Sequence, residues 1–171
     1  MQTTSFWLHY PDGRVEKQIR DDLAPDAFLL QTVNDKAYWV SFKVSSMLLT
    51  FKEAETYVAY IKIRNTSCNL PTFFCLWSFM KKFEEINKLC AQLRIPLFPR
   101  TKYWANKLPR VNFAHGHYFT NAKEIKRFEC KGDKKEALAL PVIEARYPRE
   151  IISRVLSQNN RSQQAARMQM R

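Results

Sequence analysis

Residues 6–20 read FWLHYPDGRVEKQIR. Phe6, Leu8 and Tyr10 alternate with Trp7 and His9, the two-residue period of a strand whose faces differ. Pro11, Asp12 and Gly13 then bring a fixed φ, a side chain that bonds its own backbone, and tolerance of positive φ. Arg14 to Arg20 resumes beyond them, so the stretch predicts a β-hairpin. The helical periodicities further along the chain make the expected class α+β.

Working outward, Asp21 and Asp22 offer capping charge for a short helix near Pro25 to Val33. Lys36 to Val44 alternates again, with Tyr38, Val40, Phe42 and Val44 on one face, and predicts a third strand. Thr50 and Glu53 stand at the spacing of a capping box, opening a helix to about Arg64. The second half of that helix, from Tyr57 to Ile63, has strand propensity as well. Asn69-Leu70-Pro71 introduces a long helix to about Leu93. Its apolar stripe is Phe73, Leu76, Met80, Phe83, Ile86, Cys90 and Leu93, and Pro96 stops it.

Residues 95–121 are punctuated by proline. Tyr103 to Leu108 reads as a helical turn, Val111 to Phe119 as a strand and Ala122 to Phe128 as a short helix. A charged turn spans Cys130 to Glu136, and Ala137 to Ala145 reads as a strand. Pro148 suits the first turn of a final helix with Ile151, Ile152, Val155 and Leu156 on its apolar side. The expectation is therefore a small mixed sheet, built from the N-terminal hairpin and further strands. It packs on two or three helices, with a C-terminal helix and a basic tail. Residues 1–157 form one α+β domain, and 158–171 a polar tail that is flexible or ordered on a partner.

Composition closes several routes. Gly13, Gly116 and Gly132 are the only glycines in 171 residues. The glycine-rich dinucleotide turn, the phosphate loop and the hydrolase nucleophile elbow therefore cannot be written, and no nucleotide or other cofactor is expected. No apolar run approaches the ~20 residues of a membrane span, and no signal-peptide pattern opens the chain, so a cytoplasmic protein without a membrane partner is expected. Cys68, Cys75, Cys90 and Cys130 match no zinc-site spacing and read as buried reduced thiols, with a zinc site borrowing His115 and His117 as the weaker alternative.

The net charge of +12 is unevenly placed: residues 1–60 carry −2 and residues 61–171 carry +14. Between Glu85 and Glu124 there is no carboxylate in 38 residues, whereas Lys88, Arg94, Arg100, Lys102, Lys107, Arg110 and Lys123 lie there. Phe98, Tyr103, Trp104, Phe113, Tyr118 and Phe119 are interleaved with them. Cations neutralise phosphates and release counterions, and aromatic faces stack unpaired bases. The expected partner is RNA or single-stranded DNA, held by Arg94, Arg100, Lys102, Lys107, Arg110, Lys123, Lys126 and Arg127. Tyr103, Trp104 and Tyr118 are the stacking candidates, and His115 and His117 possible phosphate or base contacts. Arg154 and Arg161 in the acid-free C-terminal stretch form a second electrostatic arm. The role this suggests is a non-catalytic subunit or accessory factor of a nucleoprotein complex.

Two rival functions follow from the same residues. His115-Gly116-His117 puts two imidazoles on one side of an extended segment, the general acid and base of a metal-independent endoribonuclease. Alternatively the basic face meets an acidic protein partner.

Overall fold

A computed structural model of the chain describes residues 2–32, 36–121, 124–132, 134–145 and 164–169. The predicted final helix from Pro148, and with it Lys123, Arg154 and Arg161, lies outside these residues. The architecture is α+β. Among the described residues ten strands, β1 (Thr3–His9), β2 (Val15–Gln18), β3 (Ala27–Gln31), β4 (Ala37–Ser41), β5 (Lys62–Ile63), β6 (Thr66–Ser67), β7 (Tyr103–Ala105), β8 (Ala114–Asn121), β9 (Glu124–Cys130) and β10 (Val142–Glu144), accompany three helices, α1 (Phe51–Tyr60), α2 (Phe73–Lys81) and α3 (Phe83–Leu93). A further exposed helical segment covers 164–169. No described helix is long and apolar enough to cross a membrane.

The hairpin forms as its sequence dictates. The Tyr10 amide bonds to Arg14 O and the Gly13 amide to Tyr10 O, with Gly13 at φ 88°. That hairpin is one edge of a five-stranded antiparallel sheet in the order β10-β4-β3-β1-β2. Phe6, Leu8, Phe28, Leu30, Tyr38, Val40 and Val142 share one buried cluster with Cys75, Leu76, Phe79, Ile86 and Leu89 of α2 and α3. Ala27, Leu29, Ala37, Trp39 and Ile143, on the other face, cluster with Ala54 and Val58 of α1.

The structure corrects four readings. The helix expected over 25–33 is absent from its described part, 25–32, whose centre is β3 with its first four residues all buried. A strand covered on both faces shows a continuous apolar run, which period alone cannot tell from a buried helix. Tyr103 to Leu108 opens as β7 rather than a helical turn, and the described end of the 122–128 helix is β9. Glu124-Ile-Lys-Arg is rich in helix formers, but seven pairings to β8 decide its state. The long helix is two, broken at Lys82 (φ −98°, ψ 14°).

Local signals hold elsewhere. Thr50 and Glu53 bond reciprocally as a capping box, but α1 ends at Tyr60, short of the expected Arg64 and within the strand-prone stretch from Tyr57, whose last two residues form β5. Arg94 ends α3 in the left-handed region at φ 56°, while the Ile95 amide reaches Cys90 O and the Arg94 amide reaches Ala91 O, the Schellman closure. The loop beyond is fixed by Asn87, which donates to Phe98 O at 3.2 Å and accepts from the Phe98 amide at 2.9 Å. Asn87→Ala removes both of these bonds beside the buried Phe98 ring. A stability loss of about 2 kcal/mol is expected in denaturant unfolding; an unchanged midpoint would show that the clamp is dispensable.

Candidate functional site

Strands β7, β8 and β9 form a separate three-stranded antiparallel sheet. Tyr103 pairs with His117 and His117 with Arg127, so these three side chains share a face. Ala105, His115 and Glu129 continue it, and Phe119 with Ile125 extends it the other way. The opposite face carries Trp104, Gly116 and Phe128. Each face joins a different buried cluster: Tyr103, Ala105, Phe119 and Ile125 meet the α2–α3 side, and Trp104, Ala114, Phe128 and Cys130 the α1 side.

That placement decides the stacking candidates. Tyr103 and Trp104 are wholly buried. The Tyr103 hydroxyl donates to Pro99 O, and the Trp104 indole N–H donates to Leu49 O at 2.7 Å. Both polar tips are satisfied internally, and neither ring face meets solvent. Tyr118 is half-buried against Phe128, with ring centres 6.2 Å apart.

The histidine pair is inside as well. His115 is 0 % and His117 2 % exposed. His117 lies 5.0 Å from the Phe73 ring and 6.2 Å from the Trp77 ring of α2, centre to centre. Burial, then the neighbouring His115, then Arg127 push its pKa down to about 4. Burial and Arg127 lower that of His115, which Glu129 partly opposes. Nδ1 and Nε2 of His115 and Nδ1 of His117 find no hydrogen-bond partner among the described residues. Both rings are neutral at pH 7 and sealed from solvent, the opposite of an acid–base pair reaching a scissile phosphate.

All four cysteines are buried free thiols. Burial pushes the pKa of Cys68 up to about 12 and that of Cys90 to about 11, with Cys75 raised further. Among the described residues no three His, Cys, Asp or Glu side chains converge on a metal position.

The cations are placed differently. Lys88, Arg94, Arg100, Lys102, Lys107 and Arg110 are all exposed. Two are held over rings: Lys107 Nζ lies 5.1 Å from the centre of Phe51, and Arg100 Cζ 4.4 Å from that of Phe119. Lys126 and Arg127 are exposed on β9 but face Glu124 at 3.5 Å and Glu129 at 3.6 Å, so their charge is partly answered.

Sequence reasoning passed over the aromatic side of α2. Cys75, Leu76, Phe79 and Met80 point into the core, which turns Phe74 outward at 47 % exposure and leaves Phe73 and Trp77 half-buried. Lys81 sits 4.7 Å over the Trp77 ring. The sequence signal was present: aromatics at 73, 74 and 77 are more than one buried stripe can take, and Lys81 follows Trp77 by one helical turn. Comparisons with protein-family models, curated proteins and solved structures give no match, so the functional reading rests on these residues.

Proposed function

We propose that the protein binds RNA or single-stranded DNA through residues 94–127 and the adjoining face of α2, as a non-catalytic component of a nucleoprotein assembly. One observation carries the reading: 38 consecutive residues without a carboxylate, in which every described cation is solvent-exposed. A polyanion gains from such a surface by counterion release, whatever its sequence. The stacking role passes from Tyr103 and Trp104 to rings that solvent reaches, Phe74, Trp77 and Tyr118. Rings presented beside cations suit splayed bases better than a smooth duplex. An enzyme built on His115 and His117 is the weaker reading, because both imidazoles are buried and neutral.

The reading is checked by reversing charge where the fold does not depend on it. Changing Arg94, Lys102, Lys107 and Arg110 together to Glu is expected to leave the circular dichroism spectrum intact. Affinity for a labelled oligonucleotide at low salt should fall about 100-fold or more. Equal binding by wild type and variant would remove residues 94–110 from the interface.

A further inference from the structure

We infer that the groove between α2, α3 and the β8–β9 hairpin takes one unpaired nucleobase, stacked on the guanidinium of Arg100. The inference rests on the nucleic-acid reading and gives it an address. Met80, Lys81, Phe83, Glu84, Arg100, Phe119 and Ile125 line a cavity of about 200 Å³. Pockets for drug-sized ligands measure roughly 300–1,000 Å³, so this smaller space suits a single flat ring system.

Arg100 is prepared for stacking. Its guanidinium carbon is 4.4 Å from the centre of Phe119 and 5.6 Å from that of Phe83, and Nη1 donates to Glu84 Oε1 at 2.8 Å. The two rings back the guanidinium and the carboxylate fixes its rotation, so little side-chain freedom is lost when a base lies on it. Unpaired bases stack on arginine planes as they do on aromatic rings. Met80 and Ile125 add apolar lining, and Lys81 brings a second cation for the phosphate of the same nucleotide. Glu84 is the one carboxylate among the described lining residues. It spends its charge on Arg100, and the net sign of the groove is positive. The adjacent Trp77, under Lys81, offers a ring for the neighbouring base.

The test uses the full chain and two labelled probes: an abasic DNA strand, and the same strand carrying a single uracil. Wild type should bind the uracil-bearing strand about tenfold more tightly, the effect of stacking one base. Arg100→Lys keeps the charge and loses the plane. It should lose the preference for uracil, binding the two strands alike. Phe119→Leu, which keeps apolar volume behind the guanidinium, should lower the preference. A wild type indifferent to the uracil, or an Arg100→Lys variant that keeps the preference, overturns the groove and leaves the electrostatic reading standing. Failure of wild type to bind either strand at low salt overturns both.

Discussion

Gly116→Ala is expected to be the most damaging single-methyl change in the described chain, costing about 3 kcal/mol or more and lowering Tm by roughly 10 °C. Gly116 lies mid-strand in β8, directly between Trp104 on β7 and Phe128 on β9. A Cβ there meets Tyr103 O at 2.1 Å and the Phe128 ring at 2.6 Å. The carbonyl belongs to the paired neighbouring strand and moves only with it. The ring is buried and packs edge-on to Trp104 at 5.2 Å. Neither gives way without opening the sheet that carries Arg127 and Phe119. Gly13 is the control. Its site is open but its φ is 88°, so Gly13→Ala meets conformational strain alone, about 1 kcal/mol. Thermal unfolding of the two variants separates space from backbone freedom; equal losses would contradict the packing account.

Stability should fall on mild acidification because of His117. The folded protein releases its proton from this ring at about 4, the unfolded chain at its ordinary value of 6.5. Between those values the unfolded state binds more protons. The contribution is therefore complete above about pH 6.5 and is lost as pH falls toward 4, amounting to about 3 kcal/mol. Desolvation is the main cause, followed by His115 and then Arg127, and Phe73 and Trp77 close the site from α2. His117→Leu keeps the volume and removes the titration. Denaturant midpoints measured between pH 7.5 and 4.5 should drop less steeply in the variant than in wild type. Parallel curves would show that the imidazole is not held neutral by burial.

What the sequence disclosed depended on how local the deciding contacts are. The 6–20 hairpin is made by Pro11, Asp12, Gly13 and the alternation beside them, and the α1 start by Thr50 and Glu53, all within a few residues. The helix expected at 25–33 failed because β3 is central, with partners on both sides and buried residues on both faces. The helix expected at 122–128 failed because pairing with β8 outweighs the propensity of Glu124 and Lys126. The candidate site divided by residue chemistry. Lysine and arginine announce their exposure, since a charge is rarely buried unpaired. An aromatic does not, because its burial is set by distant partners. Trp104 bonds to Leu49, 55 residues away, and His117 is covered by a helix more than 30 residues earlier. The rings that solvent reaches are those of α2 that its core stripe leaves over, visible only once the buried side of the helix is known.

The sheet that buries His115 and His117 on its α2 side also sets Phe119 against Arg100, so packing of that face and presentation of the groove depend on the same strand. A change that opens β8, such as Gly116→Ala, should therefore weaken nucleic-acid binding together with stability. Arg100→Lys should separate them.

The most direct measurement is the affinity of the native protein for a labelled single-stranded oligonucleotide across a salt series. Each phosphate neutralised on a single strand contributes a slope of about −0.7 in log affinity against log salt. With four or more of the exposed cations engaged, the expected slope is about −3 or steeper. A flat titration, or no binding at low salt, would contradict the central claim.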